Sequence, residues 1–384
     1  MNLLVKLFTT ISLCIFPGLE KPATENTATA QLPAPAKIQA AILLDVSGSM
    51  NGLIEQAKAL LWNMVTTLGK AQCADKTNPK VELALYEYGR TTNDMGKGFV
   101  KQLSPFTSDL DEVSKILFSL STNGGDEYCG QVIYTSMEEL KWNESAGNYK
   151  VIFIAGNEDF LQGKLHYTKA CTRAKEKGVI VNTIYCGDYK RGLEEHWNLA
   201  GECGNGSFTN INQNAKEPDI PTPYDTTLIV LNSKLNSTYI GYGSAGYANT
   251  IRQGEVDQLN FYSNNNLAAK RMEAKAKSNV YSNASWDLVD ANMADSGYIA
   301  KVDKKTLPDS LKNKSTEQLQ QIVKEKTTER KAIQQEIISV NANRNKYVVE
   351  QKSKAALNKN EPTLESEVDK ILKEQVKRFG MTID

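Results

Sequence analysis

The chain has 384 residues, enough for two domains of ordinary size. Its 45 basic and 45 acidic residues cancel, which excludes the basic footprint of a nucleic-acid-binding protein. A hydrophobic content of 40% is ordinary for a soluble protein.

The first 16 residues carry one lysine and a short apolar run, and Pro17-Gly18 follows. This reads as a secretory signal peptide over residues 1–18, extending at most to Ala30, and too short to cross a bilayer. Residues 19–36, rich in Pro, Ala and Thr, read as a flexible tether. An exported protein is therefore expected, periplasmic, associated with the cell envelope or secreted. No later stretch approaches the ~20 apolar residues of a transmembrane helix. Five cysteines follow the signal: Cys73, Cys129, Cys171, Cys186 and Cys203. An odd number leaves at least one free or paired between chains, and none form a C-x-x-C zinc motif. Cys186 and Cys203, near the ends of successive sheet elements, are the expected pair.

The run Ala41–Leu44 reads as a buried parallel strand. It ends in Asp45-Val46-Ser47-Gly48-Ser49, and a helical pattern covers Asn51 to Lys70. Asp45, Ser47 and Ser49 place three hard oxygen donors on one tight turn, a set suited to Mg2+ or Mn2+ rather than zinc. Ligands of open α/β sheets sit at such strand ends. Further strands are expected at Val81–Tyr88, near Phe99, at Lys150–Ile154, Val179–Tyr185 and Ser207–Ile211. Helices are expected at Asp109–Leu120, Gln131–Lys141, His166–Lys177 and Leu193–Ala200. Strands separated by helices of this length predict a doubly wound, mostly parallel α/β sheet over residues 37–213.

Asp45, Ser47 and Ser49 match the D-x-S-x-S motif of the von Willebrand factor A (VWA) family, and the chain resembles that family here. The resemblance implies a Rossmann-like fold with a metal-ion-dependent adhesion site. The family usually adds a Thr from a loop after the second helix and an Asp at the end of the fourth strand. Here the first loop reads Ser121-Thr122-Asn123-Gly124-Gly125-Asp126-Glu127, so Asp126 stands where the Thr is expected. The second reads Ile154-Ala155-Gly156-Asn157-Glu158-Asp159, so Gly156 stands at the Asp position. The expected metal set is Asp45, Ser47, Ser49 and Asp126, with Thr122 and Glu158 as additional metal or ligand contacts. Asp126 would restore the carboxylate lost at Gly156, and Gly156 itself would answer a need for positive φ. With the segments Ile154–Gly163 and Val181–Gly187, the chain resembles exported bacterial VWA-domain proteins that carry a helical C-terminal extension.

Residues 214–310 read as a mixed, mainly helical region. Asp225 is expected to cap a helix, Thr238–Gly243 to be extended, and Glu255–Lys277 to be helical. Ser315 and Gln318 form a capping box that opens a helix running to about Leu357. Its apolar stripe is interrupted at Lys326 and Glu329, so it is no clean heptad seam. Thr363 caps a last amphipathic helix. Two such helices joined by a short loop predict a long antiparallel hairpin over residues 311–384.

Enzyme motifs are sparse. Neither His166 nor His196 lies in a metal or nucleophile pattern, and no phosphate-binding glycine motif follows a strand. The expected function is an exported, non-enzymatic, Mg2+- or Mn2+-dependent binding protein, whose ion takes an acidic group presented by a protein or other ligand. The alternatives are an envelope assembly protein that works through the hairpin with a silent metal site, and a metal-assisted hydrolase using Asp126 and Glu127.

Overall fold

The computed structural model describes residues 36–145, 147–215, 218–354 and 361–383. The signal peptide and all but the last residue of the tether lie outside them.

The strands are β1 (Lys37–Asp45), β2 (Ala71–Cys73), β3 (Lys80–Tyr88), β4 (Lys101–Thr107), β5 (Tyr149–Gly156), β6 (Ile180–Tyr185), β7 (Asn205–Asn210) and β8 (Met381–Ile383). The helices of the first half are α1 (Asn51–Leu68), α2 (Leu110–Ser119), α3 (Cys129–Glu139), α4 (Tyr167–Glu176), α5 (Tyr189–Glu194) and α6 (Trp197–Cys203). Those of the second are α7 (Asp225–Asn236), α8 (Gly246–Ser263), α9 (Asn265–Lys275), α10 (Leu288–Ala294), α11 (Tyr298–Lys301), α12 (Asp309–Lys312), α13 (Thr316–Lys354) and α14 (Leu364–Gln375).

Six strands form one sheet in the order β4-β3-β1-β5-β6-β7, with β4 antiparallel to β3 and every other pairing parallel. The fold is the expected doubly wound α/β sheet. Side chains of a strand alternate between faces, and β1 is apolar on both. Ile38, Ala40, Ile42 and Leu44 enter a core with α1, α2 and α14, whereas Ala41 and Leu43 enter a second core with α3, α4 and α6. From β1 the chain winds to β3 and β4 on one side, then returns to β5, β6 and β7 on the other. The carboxyl end of β1 is thus the switch point where open α/β sheets bind ligands, and Asp45 is its last residue.

Several local expectations are refined. The helix at Leu193–Ala200 is replaced by α5 and α6, broken at His196, whose φ of 65° lies in the left-handed region. The helix at Glu255–Lys277 is two: Asn264 ends α8 with extended backbone, and its side chain accepts from the Leu267 amide at 2.7 Å to cap α9. Asp225 is the first residue of α7, and its carboxylate bonds the Thr222 amide and the Arg344 guanidinium. The Ser315–Gln318 box and the Thr363 cap form as expected. Cys203 pairs with Cys171, Cα–Cα 5.8 Å, and not with Cys186, which is buried and free. Cys171 lies on α4 and Cys203 ends α6, two helices adjacent on one face of the sheet, a proximity that strand order alone does not reveal.

The expected hairpin does not form. α14 turns away from α13 and lies on α1, burying Leu364, Val368, Ile371, Leu372 and Val376 in the core of the sheet. β8 then pairs with β2, two three-residue strands that no periodicity announced. α13, 39 residues long, packs instead on α7, α9 and α10. The chain beyond 360 therefore completes the α/β domain, and the boundary at 311 is not a structural one. Amphipathic periodicity specifies that a face must be covered, not which element covers it.

Between the α/β layer and the helical region lies a buried polar network. Arg271 donates to Asp257 at 2.6 Å and to Asp111 of α2 at 2.7 Å, while Lys275 lies 3.0 Å from Asp257. Tyr281 donates to the other oxygen of Asp111 at 2.7 Å. A second buried arginine, Arg330 of α13, bonds Asp287 and Asp290 and lies 3.9 Å from the Tyr239 ring centre. Arg330 continues the α13 stripe through the interruption at Lys326 and Glu329, because its charge is neutralised from α10 rather than exposed.

Candidate metal centre

The turn after β1 is tied down by the backbone. The Val46 amide donates to the Tyr88 carbonyl at 2.9 Å, and the Asn123 amide to the Val46 carbonyl at 2.9 Å. Asp45 is fully buried, with Oδ1 accepting from the Ser47 amide at 2.7 Å. Its Oδ2, also buried, has no hydrogen-bond partner among the described residues. Ser47 is 4% exposed, whereas Ser49 is exposed and its hydroxyl accepts from Asn157 Nδ2 at 3.3 Å. Asn157 follows β5, so the motif turn and the second loop meet as expected.

The first loop arrives in a register one residue from the expected one. Asp126 is exposed, and its carboxylate accepts from the Tyr128 hydroxyl at 3.0 Å. Glu127 is 8% exposed and occupies the space beside Asp45 and Ser47: a Cβ placed on Gly89 would lie 2.9 Å from Glu127 Cγ and 3.0 Å from Asp45 Oδ1. The carboxylate beside Asp45 and Ser47 is therefore that of Glu127, whereas Asp126 stands at the exposed rim. A tight turn at Tyr128, where the Cys129 amide donates to the Glu127 carbonyl at 3.2 Å, leads into α3, and it leaves Glu127 buried and Asp126 exposed. Thr122 is also turned aside, donating to Asn51 Oδ1 at the start of α1 at 2.9 Å. Glu158 borders the site: Gln162 accepts from the Glu127 amide at 3.4 Å and donates to Glu158 Oε2 at 3.4 Å. The Trp197 indole fixes this loop by donating to the Glu158 carbonyl at 2.8 Å.

Gly125 and Gly89 allow the loops to interleave, since a Cβ on Gly125 would lie 2.6 Å from the Gly89 carbonyl oxygen. Gly156 has no positive φ, contrary to expectation. It is glycine for want of space, because a Cβ there would collide with the Tyr88 hydroxyl and lie 3.0 Å from Asp45 Oδ2. The Tyr88 hydroxyl is fixed by donating to the Ala155 carbonyl at 3.0 Å.

The electrostatics follow from burial without a cation. Desolvation raises the Asp45 carboxyl to about 6, with the Glu158 charge adding to it. Desolvation and the charges of Asp45 and Glu158 raise Glu127 to about 7. Hydrogen bonds from Ser47 to both carboxylates, and from the Asn157 backbone to Asp45, offset part of this rise. Among the described residues no three His, Cys, Asp or Glu side chains converge as a metal cage. The donor set is instead mixed, two carboxylates with the hydroxyls of Ser47 and Ser49, and the unpartnered Asp45 Oδ2 fits a hard divalent ion with retained waters. Neither histidine joins it: His166 accepts from the Thr168 amide at the start of α4, and His196 Nδ1 lies 3.1 Å from Asp159.

Residues 37–210 thus define a doubly wound α/β domain with an oxygen-lined site at its switch point. The strand order, the antiparallel edge strand β4 and the Asp45-x-Ser47-x-Ser49 turn make it a VWA-type fold. No protein-family model and no curated protein matches the chain. Similar solved structures include an aerotolerance-related membrane protein from Bacteroides fragilis NCTC 9343, 18% identical, covering 46% of this chain and 93% of that one at a TM-score of 0.33. Proximal thread matrix protein 1 from the mussel byssus, with a zinc-occupied MIDAS motif, is 14% identical, covering 46% of this chain and 42% of that one at 0.34. Von Willebrand factor type A from Catenulispora acidiphila is 13% identical, covering 47% and 39% at 0.34. No helix among the described residues is long and apolar enough to cross a membrane.

Proposed function

We propose that this is an exported, non-enzymatic binding protein whose α/β domain holds Mg2+ or Mn2+ and engages a partner through that ion. The reading is carried by one observation: Asp45 is fully buried with an unpartnered oxygen, and the Glu127 carboxylate is buried beside it. Asp45, Glu127, Ser47 and Ser49 would hold the ion, which would supply an electrophilic position for an oxygen of the partner, an acidic group by preference. Two carboxylates leave a dication close to neutral, so the acidic group would be held weakly and released readily. Hard oxygen donors without His or thiolate favour Mg2+ or Mn2+ over zinc.

Titration calorimetry with Mg2+, Mn2+ and Zn2+ on the purified protein tests the metal step. Stoichiometric Mg2+ or Mn2+ binding is expected, and a tighter stoichiometric zinc site overturns the assignment. An affinity pull-down with and without EDTA tests the partner step, and capture insensitive to chelation removes metal dependence from the function.

A further inference from the structure

A cleft of about 460 Å³ opens at the carboxyl ends of β6 and β7, with Cys186, Asp188, Asn210, Asn212, Gln213 and Glu361 in its lining. The strands β1, β5, β6 and β7 run parallel, so the cleft and the metal centre share one edge of the sheet. Cys186 joins them: its amide donates to the Gly156 carbonyl at 2.8 Å, and Gly156 abuts Asp45. β6 and β7 are the second and third strands from β1, which puts the cleft about 10–15 Å from Asp45 at ~4.8 Å per strand.

The walls are fixed from two sides. Gln56 of α1 donates to the Asn212 carbonyl at 2.8 Å and to the Gln213 carbonyl at 3.0 Å. Gly52 makes room for this loop, since a Cβ there would collide with the Gln213 carbonyl. The opposite wall comes from the chain that returns to α14. The Asn212 amide donates to the Pro362 carbonyl at 3.1 Å, and the Asn212 side chain donates to Glu361 at 2.5 Å.

The cleft is acidic and rich in acceptors. Its lining holds two carboxylates, Asp188 and Glu361, and no basic residue. The amino groups of Asn210 and Asn212 are spent on the Gly187 carbonyl at 2.9 Å and on Glu361. Asp188 Oδ1 accepts the Lys190 and Arg191 amides, and Oδ2 takes no hydrogen bond among the described residues. Gln213 Oε1 is buried and likewise unpartnered among them. Arg191, at the start of α5, is held by Glu195 at 2.8 Å. A guest must therefore bring donors and positive charge, and a guanidinium brings several donors with a permanent charge.

We propose that this cleft takes an arginine side chain of the partner whose acidic group sits on the ion, so that the α/β domain reads an acidic and a basic residue together. The acidic half rests on the metal-dependent reading; the basic half does not. The separation corresponds to roughly three or four residues of extended chain.

Magnetic resonance titration of the isotope-labelled full chain in EDTA isolates the basic half. The probes are N-acetyl-arginine amide and N-acetyl-citrulline amide, which differ in charge but hardly in shape. The arginine probe should shift the Asn210 and Asn212 side-chain signals with a Kd of about a millimolar, and the citrulline probe should bind ~ten-fold more weakly or not at all. Glu361→Gln keeps the bond from Asn212, and Asp188→Asn keeps the α5 cap. Together they should weaken the arginine probe ~ten-fold or more, because its charge-assisted bonds are lost. The peptides Asp-Gly-Gly-Arg and Asp-Gly-Gly-Gly-Arg, blocked at both ends, read the joint site. Mg2+ should tighten at least one of them ~ten-fold or more and leave the arginine probe unchanged. Equal binding of arginine and citrulline, or no loss in the double variant, overturns the cleft and leaves the metal reading standing. Arginine binding without a Mg2+ gain in either peptide overturns the joint recognition, and calorimetric Mg2+ titration then shows whether the metal reading has failed with it.

Discussion

The hydroxyl of Tyr88 occupies the space that any side chain at Gly156 would need. It is anchored there by the Ala155 carbonyl at 3.0 Å, with Asp45 Oδ2 on the other side of the same glycine. The carboxylate of the usual family pattern is thus excluded from the end of β5 by packing, and the compensating carboxylate has to enter from another loop. Glu127 does so.

The first prediction separates the two neighbouring acids. Glu127→Gln keeps the shape and removes the charge. It should weaken Mg2+ or Mn2+ binding by about ten-fold or more, the value of one charge-assisted contact of ~1.5–3 kcal/mol. Asp126→Ala, which removes only an exposed bond to Tyr128, should leave the affinity within about two-fold. Calorimetric titration of both variants decides it. Equal losses return Asp126 to the ligand set.

Gly156→Asp with Asp126→Thr would restore the family pattern in sequence but should not restore a site. The new Cβ overlaps the Tyr88 phenol, and overpacking of a buried strand costs ~1–3 kcal/mol. Adding Tyr88→Phe removes the obstructing oxygen and should recover part of that loss. Denaturant unfolding of the double and triple variants measures both.

Proton linkage at Asp45 and Glu127 sets the pH behaviour. Both carboxyls titrate higher in the folded protein, near 6 and 7, than their ordinary values of 3.8 and 4.5. Between roughly pH 4 and 7 the folded chain therefore binds more protons than the unfolded one, and the contribution of these groups to stability falls as pH rises. Without metal, their effect is to make the protein melt lower at pH 7.5 than at pH 5. Mg2+ or Mn2+ at 100 times its Kd should add ~2.7 kcal/mol at pH 7.5 and much less at pH 5, where protons hold the site. Thermal melts at both pH values, with and without metal, read the sign. Stabilisation by the ion that is equal at the two pH values would remove these carboxylates from the ligand set.

Arg271 ties the helical region to the α/β layer through Asp111 and Asp257, all three buried. Arg271→Met leaves two buried carboxylates short of a cation and should cost ~3–5 kcal/mol. Replacing Asp111 by Asn as well relieves part of that penalty, and a double-mutant cycle gives the coupling. A loss below ~1 kcal/mol would mean that water reaches the network.

The sequence alone determined the α/β class, the strand and helix alternation, the caps at Ser315 and Thr363, and the Asp45-Ser47-Ser49 turn. These are short-range properties, carried by periodicity and by residues a few positions apart. What covers each face was decided only in three dimensions. α14 closes the sheet rather than pairing with α13, Cys203 finds Cys171, and Arg271 and Arg330 are buried because carboxylates from distant segments meet them. The site divides in the same way. The motif turn was legible because its donors lie within five residues. Glu127 was not, because one residue of register in a loop exchanges an inward side chain for an outward one. That register is set by Gly125 passing Gly89, by Gln162 bridging Glu127 to Glu158, and by the Tyr88 hydroxyl closing the end of β5.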